Sequence, residues 1–203
     1  MKMKKYNIAL LSVLLLCLSA SSQERTLKFD MGYSVAMPLG GFRDLVDKTS
    51  FNGWGASLMY GITNQVSIGL GSGFQDFYQK FPRQVYHGQG TDISAVITNS
   101  IQTIPLLLKG KYLLTQSGPV QPFAALGLGG TLVQYSKYYG QFADSKSAFG
   151  FTAQPEVGVH IPVGRKVGIN VAAAYNYVPV KALDADGLSH ASVTAGISVP
   201  LHQ

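Results

Sequence analysis

Cysteine is nearly missing from this sequence. Cys17 is the only one, and it lies inside the apolar N-terminal stretch. A chain without that stretch has no cysteine at all, which excludes disulfides and thiolate metal sites. Charge is scarce as well. Asp, Glu, Lys and Arg make up 13% of the residues, where soluble domains carry about 25%. No stretch shows the 3.6-residue period of an amphipathic helix. There is no G-x-x-x-x-G-K-[ST] loop, no zinc-ligand spacing and no serine-hydrolase elbow. These absences remove the common routes to nucleotide, zinc and hydrolase chemistry. No cofactor and no enzymatic activity are expected.

What is present begins with an export signal. Lys2, Lys4 and Lys5 form a positive segment, and Ile8 to Leu18 forms an apolar one too short to cross a bilayer as a helix. Ala20, Ser21 and Ser22 supply small residues, so cleavage is expected before Gln23. Leu16 precedes Cys17 where a lipoprotein signal needs a small residue, so lipidation is not expected. Residues 1–22 are thus read as a cleaved signal peptide and 23–203 as one domain. Losing the three lysines lowers the formal net charge from +6 to +3. No basic stripe remains, so nucleic acid is not an expected partner.

Beyond residue 22 the apolar period is two. Val66, Ile68, Leu70 and Phe74 alternate with Ser67, Gly69, Gly71 and Gly73; residues 167–177 and 189–201 repeat the pattern. Eight such segments are predicted, at about 26–39, 53–62, 66–76, 99–114, 120–134, 148–162, 167–178 and 189–201. Most reach the ~9–11 residues of a tilted transmembrane strand. Tight turns at 63–65, 115–119 and 163–166 alternate with longer links at 40–52, 77–98, 135–147 and 179–188. Short turns at one rim and long loops at the other are the pattern of an outer-membrane barrel. The expected fold is therefore all-β: an eight-stranded, antiparallel, up-and-down transmembrane β-barrel in the outer membrane. Aromatic residues at strand ends fit its girdles: Trp54, Phe74, Phe77, Tyr135, Tyr138, Phe149, Tyr175 and Tyr177 at the long-loop rim, Phe29, Tyr60 and Tyr112 at the other. A soluble lipocalin-like barrel is the rival; it needs the inverse pattern, with apolar residues inside.

The alternation assigns the charges. With Leu27, Phe29, Met31, Ile104, Leu106 and Leu108 facing lipid, every in-strand charge is expected on the inner face. An ionised group in hydrocarbon would cost about 2–4 kcal/mol at the midplane. A luminal polar network is therefore predicted, with Asp30 and Glu156 against Lys28, Lys109 and Lys111, and His160 beside it. Eight strands leave an interior that side chains can fill, so the lumen is expected to be closed by a polar plug.

The segment Gln102-Thr103-Ile104-Pro105-Leu106-Leu107-Leu108-Lys109-Gly110-Lys111-Tyr112 resembles that of the PorT-like outer-membrane β-barrel family, a relative of the OmpA/OmpX-type small barrels. Pro122–Gly129 and Pro155–Val159 resemble the Gly-rich strands that follow it there. The resemblance spans most of 24–201 and implies an outer-membrane location and a barrel. It implies no single function and carries over no catalytic residue. The aromatic last residue usual in such barrels is absent, since this chain ends Leu201-His202-Gln203.

Three further groups of residues stand out. Lys80, Arg83, Tyr86 and His87 lie among aromatics in 77–98 and suit a phosphate- or sugar-bearing surface. His190-Ala191-Ser192 has the H-x-S spacing of lipid A deacylases, with both side chains on one strand face but no carboxylate beside them. Asp184-Ala185-Asp186-Gly187 begins like a calcium loop but lacks the later ligands, so no metal is expected. The expected role is structural or interactive, with outer-membrane lipids as surroundings and an extracellular or envelope partner at loops 40–52 and 77–98. The alternative is a narrow pore or transporter, and less favoured is a lipid A-modifying enzyme.

Overall fold

The computed structural model describes residues 26–80, 84–88, 91–95, 97–139, 142–164, 167–180 and 187–201, with backbone alone for 84–97, 137, 139 and 142–144. The period-two segments form strands β1 (Leu27–Pro38), β2 (Ser50–Gly61), β3 (Val66–Lys80), β6 (Ile97–Leu113), β7 (Gln121–Tyr139), β8 (Phe142–Val163), β9 (Val167–Asn176) and β10 (His190–Pro200). Each pairs antiparallel with its neighbours, and β1 meets β10 to close an eight-stranded barrel. A separate hairpin, β4 (Gln84–Gly88) and β5 (Thr91–Ala95), lies between β3 and β6. The meander needs only local connections. At the turn after β2, the Thr63 hydroxyl accepts the Gln65 and Val66 amides at 3.2 and 2.9 Å. At another turn Gly164 takes φ +72°, a left-handed conformation that costs glycine little.

Four strands run further than the alternation predicts. β3 reaches Lys80, β6 starts at Ile97, β7 reaches Tyr139 and β8 starts at Phe142, so the expected loop at 135–147 is almost wholly strand. Residues here are polar on both faces, as in Gln79-Lys80 and Ser145-Lys146, so no apolar alternation marks them. Their backbone ladder forms all the same. β2 likewise starts at Ser50, beyond a register shift opposite Ser34 and Ala36.

The outward face is apolar. Met31, Leu58, Leu70, Leu106, Leu108, Leu128, Phe151, Val157 and Val193 are all exposed. This is the inverse of a soluble barrel. Gly196, Gly32, Gly55 and Gly73 pair in register to form an inward row of glycines across β10, β1, β2 and β3. A Cβ on Gly196 would stand 2.2 Å from the Met31 carbonyl oxygen, so the close approach of β10 and β1 requires glycine there.

Two expectations about faces are corrected. Phe77 and Tyr135 point inward, not into the girdle: Phe77 is fully buried, and Tyr135 packs on the same apolar cluster. The inward-facing phase of β3 extends to Phe77 because that strand continues past Asp76. Asp76 itself faces outward, contrary to the rule that every in-strand charge lies inside. It pairs with Asn52 and Gln102 two residues beyond Phe74, and its Oδ1 accepts the Ser100 hydroxyl at 2.9 Å. At that height the outward face has already become polar, so the carboxylate avoids the apolar band.

Candidate functional site

The lumen holds most of the candidate residues. Lys109 and Lys111 are successive inward positions on β6, and Lys111, Ala125 and Glu156 share one cross-strand row. Lys109 Nζ lies 2.6 Å from Glu156 Oε2. Lys111 turns across the lumen instead. Its Nζ stands 3.7 Å from Asp30 Oδ2 on β1 and 4.1 Å from the centre of the Phe123 ring. The four charged side chains are only 15–17% exposed, so each charge needs its partner. Asp30 Oδ1 is buried without a hydrogen-bond partner among the described residues. Lys28 makes no ion pair among those residues; it lines a small cavity of about 20 Å³ with Asp30, Lys111, His160 and Ser198. His160 Nδ1 is 2.6 Å from Asn170 Oδ1.

Glycines give these side chains room. A Cβ on Gly71 would come within 2.6 Å of Lys109 Cδ, and one on Gly168 within 2.1 Å of His160 Cε1. Above the ion pairs is a cavity of about 140 Å³, reaching from Lys109 and Lys111 up to Asn176 and His190. It is large and polar enough for several waters. Over it runs a chain of amides: Gln154 Nε2 donates to Asn176 Oδ1 at 2.7 Å, and Asn176 Nδ2 donates to Ser192 Oγ at 3.0 Å.

The long-loop end is shut by apolar side chains, whereas a polar plug was expected throughout. Phe42, in the 3-10 turn Gly40–Asp44, drops into the barrel mouth and meets Phe77 edge-on at 4.7 Å. Val46, Ile101, Val133, Val178 and Leu188 complete this stopper. The inward parity of Ile101 and Val133 hinted at it, but nothing in the sequence marked Phe42 or Leu188. His190 forms part of the stopper's underside. Its ring lies 5.1 Å from that of Phe77, and Nδ1 is 3.2 Å from the Leu188 carbonyl.

The remaining candidates are dispersed. No hydrogen bond joins His190 to Ser192, and no carboxylate contacts either among the described residues. Lys80 is exposed at the end of β3. The backbone of Tyr86 and His87 lies in β4, opposite Ile93 and Asp92. Arg83, Asp184, Asp186 and the whole of 1–25 lie outside the described residues. Among those described, no three His, Asp or Glu side chains gather as a metal site.

Comparison with known proteins agrees with this geometry. The barrel resembles that of Neisserial surface protein A, with a TM-score of 0.54 at 18% identity, covering 86% of this chain and 95% of that one. Ail of Yersinia pestis, crystallised with the heparin analogue sucrose octasulfate, matches with a TM-score of 0.52 at 14% identity, over 88% and 100% of the two chains. OprG of Pseudomonas aeruginosa matches with 0.52 at 14% identity, over 89% and 98%. At these identities the likeness is one of fold. No curated protein matches the sequence. A sequence-family model described as the outer membrane protein beta-barrel domain matches residues 8–199. The apolar outward band is thus the lipid-facing surface, and the chain belongs to the outer-membrane β-barrel domain family and resides in the outer membrane.

Proposed function

We propose that this protein is a closed outer-membrane barrel that works through its outer rim and loops, as a structural and interaction protein. The observation that carries this reading is the double closure of the lumen. The Lys109–Glu156 and Lys111–Asp30 pairs cross it below the cavity, and the Phe42 stopper fills its mouth. The basic and aromatic residues Lys80, Arg83, Tyr86 and His87 support an anionic or sugar-bearing partner at 77–98, with 40–52 beside it. Ail carries a heparin analogue in its crystal structure; for this chain the support is the residues themselves. The segment Gln102–Tyr112 supports kinship with PorT-like members of the family.

A narrow pore is the second reading, favoured by the cavity of about 140 Å³, which Gln154, Asn176, Lys109 and Glu156 help to line. Nothing comparable favours the His190–Ser192 hydrolase, since those side chains have separate partners. The deciding test is single-channel conductance of residues 23–203 refolded into a planar bilayer. The closed-scaffold reading expects silence once insertion is verified. Steady openings that grow when Glu156 is made small would overturn it in favour of the pore. Deleting 79–93 is expected to abolish binding to cells or glycans while the barrel remains folded; unchanged binding would remove the loop from the proposal.

A further inference from the structure

β8 is 22 residues long, where a tilted strand needs only ~9–11 to cross the hydrocarbon. Counted upward from the short turn after Val163, its half from Phe142 to Thr152 stands beyond the bilayer. β7 pairs with all of that half in unbroken register, from Tyr139 opposite Phe142 to Gly129 opposite Thr152. β9 does not. Its line ends at the bridge between Tyr177 and Ala153, whose N–H and C=O groups bond each other at 3.1 and 2.9 Å. The chain then turns inward. Val178 and Val180 are buried in the stopper, and Val180 sits over the inner side of Gly150. Backbone groups two residues apart in a strand point the same way. Those of Ala143, Ser145, Ser147, Phe149 and Phe151 therefore point, like those of Ala153, away from β7. Among the described residues no hydrogen bond reaches them from that side. The opposite upper edge of the same sheet is covered: the Ser50 hydroxyl donates to the Asp76 carbonyl, and the Asp47 N–H donates to Gln79 Oε1 at 2.6 Å.

We propose that this edge of β8, from Ala143 to Phe151, docks an extended peptide segment of another protein, which adds to the sheet as a strand antiparallel to β8. A bare line of aligned donors and acceptors is a template for a further strand. In this mode of recognition the main-chain bonds supply affinity and the flanking side chains supply selectivity. The guest takes the place that β9 would hold had it gone on past Tyr177. No proline lies between 142 and 152 to blunt the edge. The side chains along it say what fits. Phe149 and Phe151 are 70% and 55% exposed on the outward side, and aromatic rings favour aromatic or β-branched cross-strand partners. Lys146 is exposed on the inner side, where a carboxylate is the favoured partner. In antiparallel register these positions select large apolar residues at two alternate places and an acidic residue three places after the second. A second copy of this chain does not supply the strand. Its β8, tilted by about 40° in the same sense in the same membrane, would cross this edge rather than run along it. The site is separate from the 77–98 surface and does not depend on whether the lumen conducts.

The test places residues 23–203 in nanodiscs of phosphatidylethanolamine and phosphatidylglycerol. The probe is an end-capped, labelled seven-residue peptide with valine at its odd positions, threonine at the second and fourth, and glutamate at the sixth. Saturable binding by fluorescence anisotropy is expected. Methylating the probe's third and fifth backbone nitrogens, which face β8, should weaken binding by about tenfold. Methylating the second and fourth, which face away, should change it little. Before peptide is added, amide exchange should be fast at Ser145, Ser147 and Phe149 and slow at Lys146, Ala148 and Gly150, which bond to β7; the peptide should slow the first three. Ser147→Pro removes a donor from the free edge and none from the β7 ladder. It should keep the heat-modified gel mobility of the folded barrel and bind about tenfold more weakly, while Ser147→Ala should bind as the parent does. Equal binding by the two methylated probes, parent-like binding by Ser147→Pro, or no saturable binding at millimolar peptide would overturn the proposal. So would slow exchange at Ser145 and Ser147 in the peptide-free chain, which would mean that the edge is already covered by this chain or by a second copy. The methylated probes act on the unmodified chain, so they decide the matter even where Ser147→Pro fails to fold.

Discussion

The ammonium of Lys109 lies 2.6 Å from Glu156 Oε2, and its aliphatic stem runs where Gly71 has no side chain. The pair joins β6 to β8 across the two flanking rows of β7, and both partners are largely buried. Removing one partner leaves the other charged and stranded, whereas removing both leaves only a volume to fill. Glu156→Gln is expected to destabilise the barrel by about 3 kcal/mol, and Lys109→Met with Glu156→Leu to fall within about 1 kcal/mol of the parent. Urea unfolding in lipid vesicles measures both; equal losses in the single and double variants would contradict the pairing.

The glycines of the inner wall have two different duties, which substitution separates. Gly71→Ala meets a flexible lysine stem, and Gly196→Ala meets the Met31 carbonyl. The first should cost about 1–2 kcal/mol in the parent and little in a Lys109→Ala background, which is itself destabilised by the stranded Glu156, while the second should cost more and be the same in both backgrounds. The same unfolding assay, run as a double-mutant cycle, distinguishes them.

Phe42 is fully buried, although it stands on a loop. Phe42→Ala removes the centre of the stopper, a loss of about 3 kcal/mol for a large aromatic. The loss should appear as faster amide exchange in 39–49, with exchange in β7 and β8 unchanged. Protection that falls equally across the barrel would mean that the stopper helps hold the wall together.

Leu108 faces lipid and Leu107 faces the lumen on the same strand, 62% and 2% exposed. Leu108→Arg should reduce insertion by about 2–4 kcal/mol in a folding titration. Leu108→Ile should be silent. An arginine tolerated at 108 would mean that the assignment of faces is wrong.

Much of the barrel was legible in the chain because a strand with lipid on one side and a polar lumen on the other must alternate. Val66 to Phe74 shows this at nearly every position. The inner placement of Lys109, Lys111 and Glu156 followed from the same parity. Reading failed where the environment ceased to differ between faces. At Gln79-Lys80 and Ser145-Lys146 both faces carry polar residues, so polarity no longer reports the pleat, and no alternation marks these strand ends in the sequence.

By itself, then, the sequence determined the number of barrel strands, the two faces and the short-turn rim, but not the β4–β5 hairpin, because hydrocarbon and backbone hydrogen bonding act residue by residue. Which lysine meets which carboxylate was decided only by the closed barrel. Lys111 shares a row with Glu156 yet reaches Asp30, because Lys109 already occupies Glu156 and the glycine wall leaves the far side open. Closure also brought Phe42, Phe77 and Leu188 together, 35 and 111 residues apart in the chain. Contacts so distant depend on strand tilt and barrel radius, which no local pattern of residues encodes.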